Sequence, residues 1–182
     1  MTNIKRLASF VFMSIIILSV IPGCSSTKFL SAWKDETYQD RPKKILVINA
    51  FPSPATRRLF EEEFVKALQD RRLDATVSYA DMPDPIISDK HAIDSLAIRS
   101  GADTVLINKP IGTATGETPG AGGVTYMDVY VSTQTDIYDV KSDKLITSVA
   151  AETWIFQRDP YLAQIRAYVR SLVKEVSKLG LF

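Results

Sequence analysis

The sequence predicts an α/β (α+β) domain built on a single mixed sheet, in the order β-α-β-α-β followed by a long antiparallel β hairpin and a C-terminal helix packed on that sheet. Three observations carry this prediction. Continuous apolar runs, ILVINAF at 45–51 and DTVLIN at 103–108, alternate with stretches of helical periodicity. Two adjoining segments, 124–140 and 145–157, alternate with period two across a short polar turn. The closing segment then repeats apolar residues at helical spacing as far as Gly180.

Each element has a local reason. Ile45 to Phe51 is apolar throughout, which marks a central strand covered on both faces. Ser53-Pro54 supplies a helix cap and the proline favoured in the first turn, and Phe60, Phe64, Ala67 and Leu68 form the stripe that packs on that strand. A short strand follows at Ala75 to Tyr79, then the proline-stiffened loop beginning at Met82. Ser88 or Asp89 can cap a second helix carrying Ile93, Leu96 and Ala97, which Gly101 ends in a left-handed conformation. Beyond the strand at 103–108 comes the glycine-rich run 112–123, read as a hairpin tip or arm. It is not a phosphate cradle: it lacks the Lys-Ser/Thr ending and leads into a β pattern rather than a helix. In 124–140 one face carries Met127, Val129, Val131, Thr133, Thr135 and Ile137. The opposite, polar face carries Tyr126, Asp128, Tyr130, Ser132, Gln134, Asp136 and Tyr138. Asp159-Pro160 repeats the cap-plus-proline start, and Ile165, Val169, Leu172, Val173, Val176 and Leu179 make the last stripe.

Ahead of the domain, residues 1–24 have three parts. Lys5 and Arg6 precede the apolar run Leu7 to Ile21, which ends at Pro22-Gly23-Cys24. That is the layout of a secretory signal. The run's fifteen residues cover roughly 22 Å at the α-helical rise, short of the roughly 30 Å hydrocarbon slab, so a permanent membrane-spanning anchor is disfavoured. Cleavage between Gly23 and Cys24 divides the chain into a signal peptide (1–23), a lipidated cysteine with its tether (24–42) and a globular domain (43–182). Within the tether Trp33 is costly to expose, so it packs on the domain edge or meets a partner.

Ile21-Pro22-Gly23-Cys24 resembles the lipobox of bacterial lipoproteins, with proline at an unusual place. The resemblance implies a diacylglyceryl thioether on Cys24 and palmitate-type acylation of the new amine, a membrane anchor of two or three chains. Ser25-Ser26 stands where enteric-type bacteria place an aspartate for inner-membrane retention. By that analogy the protein belongs on the periplasmic face of the outer membrane. The single cysteine is compatible with that compartment.

More of the mature chain takes part in a second likeness. Cys24, the tether FLSAWKDETY, KILVINAF, Arg57-Arg58-Leu-Phe-Glu, Ser78-Tyr79-Ala-Asp-Met-Pro and Ser100-Gly-Ala-Asp-Thr-Val-Leu together resemble a family of small bacterial lipoproteins without established activity. More distantly, the element order is similar to domains of curli-secretion lipoproteins, of lipoprotein activators of cell-wall synthases and of the amino-terminal domain of the Tol system's periplasmic protein. The nearer likeness implies location and fold; in the distant group the domain binds other proteins, but no residue-level motif carries a partner over, so that likeness implies fold alone.

Charge and residue types narrow the function classes. The chain has 22 basic and 21 acidic side chains, and loss of Lys5 and Arg6 with the signal turns the formal charge from +1 to −1. No basic footprint for nucleic acid results. His91 is the only histidine and Cys24 the only cysteine. Asp81, Asp84 and Asp89 lack the spacing of an EF-hand loop, and no zinc set exists. The expectation is therefore no enzyme, no metal and no cofactor. The candidate partner surface is the tyrosine face, Tyr126, Tyr130 and Tyr138, together with Trp33, because tyrosine and tryptophan are enriched where proteins meet, and the glycine-rich arm at 112–123 is a second candidate contact. Cross-strand packing is the alternative for those rings. Arg166, Arg170, Lys174 and Lys178 form a basic ridge on the last helix, either a solvated face or a contact for an anionic surface. The reading is a lipid-anchored binding or assembly module of the cell envelope with a protein partner. Three alternatives stand beside it: a lipoprotein holding a small molecule or lipid in a cleft beside the sheet, self-association through the long hairpin, and an envelope hydrolase centred on His91.

Overall fold

The computed structural model describes residues 26–82, 89–156 and 159–182. Cys24, Gly23 and Asp84 lie outside these residues. One six-stranded mixed sheet runs in the order β1-β6-β5-β4-β2-β3. Its strands are β1 (Thr27–Lys34), β2 (Lys44–Asn49), β3 (Asp74–Val77), β4 (Thr104–Pro119), β5 (Thr125–Asp139) and β6 (Lys144–Ile155). The helices are α1 (Pro54–Gln69), α2 (Lys90–Ser100) and α3 (Tyr161–Lys178). Strand β2 lies parallel to β3 and β4, while β4, β5, β6 and β1 follow as antiparallel neighbours.

The sheet is covered unequally. Ile45 and Val47 of β2 point into the larger core, with Phe60, Phe64 and Leu68 of α1 and Ile165, Val169, Leu172 and Val176 of α3. Leu46 and Ile48 point the other way, into a smaller core with Ile93, Leu96 and Ala97 of α2 and Val105 of β4. This division is why ILVI carries no polar alternation. Helices α1 and α3 together roof one face; on the other, α2 packs over β2 and the start of β4.

Helix ends follow their sequence signals with one exception. Ser53 Oγ accepts the Thr56 amide at 3.3 Å, Asp89 accepts the Ala92 amide at 3.0 Å, and Gly101 closes α2 at φ 69°. At α3, Pro160 itself is the residue before the first turn, not the first helical residue after an aspartate cap. Order there comes from Gln164, whose Nε2 donates to the carbonyls of Phe156 (2.9 Å) and Asp159 (3.0 Å) and whose Oε1 accepts the Phe156 amide at 2.8 Å.

Two expectations are corrected. Thr27–Lys34, placed by sequence in the tether, is the edge strand β1 hydrogen-bonded to β6. Its register shifts between Phe29 and Ser31, so the inward and outward phases switch partway and no alternation is legible. The glycine-rich run is not an arm or loop over most of its length. β4 continues through it to Pro119, paired residue by residue with β5, and only residues 120–124 turn. Gly122 and Gly123 make that turn at φ 74° and 79°, a left-handed region that costs glycine little.

Candidate interaction face and adjoining cavity

Cross-strand register decides which side chains share a face. Val105, which packs under α2, is paired with Tyr138, so Tyr138, Tyr130 and Tyr126 all point to the α2 side. Tyr130 is paired with Trp154 of β6, and Trp33 of β1 with Ser148. On this side α2 reaches only the Tyr138 end of β5, and among the described residues no helix lies over the rest of β5 or over β6 and β1. The face is open there.

Its two ends are aromatic and its centre is polar. At the far end Tyr130 stacks on Trp154 with centroids 5.1 Å apart, and Trp154 stacks on Phe156 at 4.8 Å. The seats of the tyrosines explain the glycines. A Cβ on Gly116 would stand 2.8 Å from Cε2 of Tyr130, and one on Gly120 would overlap the Tyr126 ring. Glycines therefore leave room for rings reaching across from β5. The Trp154 Nε1 is buried with no hydrogen-bond partner among the described residues. In the centre, buried Asp136 accepts from Lys109 Nζ (3.1 Å), Gln134 Nε2 (2.9 Å) and Ser148 Oγ (2.7 Å). Trp33, level with Ser148 and Asp136 on the edge strand, is 50% exposed, and Tyr138 marks the near end.

The three tyrosines thus share a face without forming one cluster. Eight residues separate Tyr130 from Tyr138, about 26 Å of strand. Tyr138 instead borders a cavity of about 230 Å³ under α2, with Lys90, Ile93 and Asp143. Burial, followed by the neighbouring Asp136 charge, pushes its phenol pKa upward. Trp154 and Phe156 were missed from sequence, although their i, i+2 spacing in TWIF and the pairing of Trp154 with Tyr130 put them on the tyrosine side.

Two buried polar networks support the other face. Glu61 and Arg57 of α1 are almost fully buried. Glu61 Oε1 accepts from Arg57 Nε (2.9 Å), Ser78 Oγ (2.9 Å) and the Asn49 amide (3.1 Å). Oε2 accepts the amides of Ser78 (2.6 Å) and Tyr79 (3.0 Å). Arg57 Nη2 also donates to Ser78 Oγ at 2.7 Å. Five donors saturate this carboxylate, so its chemistry is to pin the ends of β2 and β3 to α1. Arg57, Glu61, Ser78 and Tyr79 belong to the segments that carry the lipoprotein likeness. In the second network, Asn108 Oδ1 accepts from Thr135 Oγ1 and from Tyr168 Oη, each at 2.8 Å, and the Tyr168 hydroxyl lies 3.0 Å from Thr133 Oγ1. Complete burial pushes the Tyr168 pKa up to about 12.

Beside Tyr168 a second cavity, of about 220 Å³, opens between the first turns of α1 and α3 and the outer parts of β5 and β6. Other candidates stand apart. His91 is exposed at the start of α2. Among the described residues no group of three or more His, Cys, Asp or Glu could hold a metal ion, and no helix is long and apolar enough to cross a membrane. The basic ridge is partly neutralised: Arg166 forms a two-bond pair with Glu63 at 2.9 and 2.7 Å, and Lys178 pairs with Glu175 at 2.6 Å.

These features define an α+β domain with an open aromatic sheet face on one side and a helix-roofed core on the other. No protein-family model and no curated protein matches the chain. Among solved structures it is similar to the PelC dodecamer from Paraburkholderia phytofirmans, at 12% identity and TM-score 0.54 over 82% of this chain and 96% of that one. It is also similar to lipoprotein GNA1162 from Neisseria meningitidis, at 16% identity and TM-score 0.50 over 75% and 99%. At these identities the likeness establishes the fold.

Proposed function

We propose that the protein is a lipid-anchored lipoprotein of the cell envelope that binds another protein through the open sheet face, without catalysis of its own. The observation that carries this reading is the stacked set Tyr130, Trp154 and Phe156, on a face that no helix covers among the described residues. Stacked, rigid rings supply contact area at little entropy cost, which is why such residues dominate the energetics of interfaces. The saturated Glu61 and the exposed His91 support a role by contact rather than by acid–base chemistry. The likeness to GNA1162, itself a lipoprotein, supports the anchor, in accord with the lipobox around Cys24 and its placement on the periplasmic face of the outer membrane.

Self-association is the second form of the same reading. β2 ends opposite Asn108, so beyond it β4 has no strand on that side among the described residues. Pro110 and Pro119 bracket this free edge. PelC assembles as a dodecamer. In-cell crosslinking from a photoreactive residue at position 132, followed by pull-down, tests both forms. It is expected to capture one envelope protein or a second copy of this chain. Tyr130→Ala is expected to cut the captured complex about tenfold without loss of folding, whereas Ile98→Ala, at an exposed position of α2, leaves it intact. An unchanged complex with Tyr130→Ala would exclude this face.

A further inference from the structure

The cavity of about 220 Å³ is walled by Phe51 and Phe60, by Val129 and Val131 of β5, by Ile155 of β6 and by Ile165 of α3. The polar side chains deeper in its wall are already engaged. The Gln164 amide holds the backbone of Phe156 and Asp159. The hydroxyls of Thr133 and Tyr168 are paired with one another, and Thr153 Oγ1 lies 3.0 Å from Thr27 Oγ1. Among the described residues only Tyr161, 45% exposed, brings a polar group to the margin. Such a wall offers dispersion contacts and no hydrogen bond, so a guest must be apolar along the part inside. Apolar cavities of about 150 Å³ stay dry and accept hydrocarbon guests.

A second, independent relationship says where the guest comes from. Thr27, the first residue of β1, is bonded to a wall residue, and the Ser26 carbonyl accepts the Trp154 amide at 2.9 Å. Cys24 is three residues upstream of Thr27, so its Cα lies within about 11 Å of that of Thr27. Chain length alone therefore keeps a lipid carried on Cys24 within reach of the cavity.

We propose that this cavity seats an acyl chain, supplied by the Cys24 anchor or by a neighbouring lipid of the same leaflet. The first source rests on the reading of Cys24 as lipidated; the second does not. Seating one chain of a three-chain anchor leaves two in the membrane.

The test uses the full chain in cells fed a fatty acid with a terminal diazirine, irradiated, and followed by digestion and mass spectrometry. Label is expected on peptides containing Val129–Thr133 or Ile165–Tyr168. A wall peptide joined to the Cys24 peptide identifies the protein's own chain as guest, and a wall peptide carrying a separate lipid identifies a neighbour. Val131→Phe fills the space and is expected to reduce wall labelling at least five-fold. Val129→Phe repeats the test from the adjoining wall position, and thermal unfolding confirms that each variant folds. Probe found on the Cys24 glyceride but not on the wall would overturn the proposal and leave the anchor intact. Labelling undiminished in both filled, folded variants would overturn it as well. A Cys24 peptide without acyl mass, beside a lipid-labelled wall, would refute the anchor and support the cavity. Probe in membrane lipids, with no acyl mass on Cys24 and none on the wall, would remove both.

Discussion

Tyr130 lies across Gly116, so close that a Cβ there would stand 2.8 Å from its Cε2 atom. The backbone at Gly116 is not left-handed, so alanine should ordinarily gain about 0.5–1 kcal/mol by restricting the unfolded chain. Overlap with a ring already stacked on Trp154 reverses the sign. Gly116→Ala is expected to lose about 1 kcal/mol in urea unfolding, and the same change in a Tyr130→Ala background to become neutral or stabilising. Additive effects in that cycle would mean that ring and glycine do not interact.

Arg57 and Glu61 give a second prediction. Both are buried, and Glu61 holds three backbone amides besides its partner. Glu61→Ala strands the guanidinium and those amides, at a cost of about 3–5 kcal/mol. Glu61→Gln keeps an acceptor but no charge and should fall between. Replacing both residues by methionine is expected to cost less than Glu61→Ala alone, because no buried charge is left uncompensated. A double variant as unstable as Glu61→Ala would show that volume, not charge, holds the site.

The contrast between what the sequence disclosed and what it hid has a physical basis. ILVI and the caps at Ser53 and Gly101 are local: propensity and periodicity act within a few residues, and the core they imply is the one formed. β1 stayed hidden because the shift between Phe29 and Ser31 breaks the very alternation that marks a strand. The outer half of β4 stayed hidden because glycine normally ends a strand, and only the rings of Tyr126 and Tyr130, contributed by another strand, make it fit. The tyrosine face was legible because β5 is regular, and the spacing of Tyr130 and Tyr138 already sets its ends apart. The stack of Trp154 and Phe156 on Tyr130 was not legible, because it depends on which β6 residues lie opposite. The Gln164 clamp and the cavity beside it involve a loop closing on a helix, which no local pattern encodes.

Tyr168 makes stability depend on alkaline pH. Its folded pKa, about 12, lies above the ordinary phenol value because burial disfavours the phenolate. A group whose folded pKa is raised contributes stability that is complete below its unfolded pKa and lost as pH rises through the folded one. The natural chain should therefore lose on the order of 2 kcal/mol from this group between about pH 10 and 12. Tyr168→Phe should be less stable at pH 7, since Asn108 and Thr133 lose a partner, by about 1–3 kcal/mol. Its denaturation midpoint should fall less steeply in the alkaline range. Parallel pH curves for the two proteins would exclude Tyr168 as the titrating group.

Glu63 provides the opposite case at acid pH. Its hydrogen bonds from Arg166 join α1 to α3 and hold its carboxyl below the ordinary range, against a smaller opposing effect of burial. With a depressed folded pKa, the stabilisation is present above the unfolded carboxylate value and disappears as pH falls through the folded one. Glu63→Gln should lower Tm at pH 7, and the gap from the natural chain should close as pH drops below about 4. Arg166→Gln should produce the same gap at neutral pH with the same acid closure, because either change leaves the other partner without its counter-charge. Because Arg166 is the more exposed of the two, salt should shrink the gap at pH 7 without removing it. A gap that persists undiminished at pH 3 would assign the loss to helix packing instead of to the ion pair.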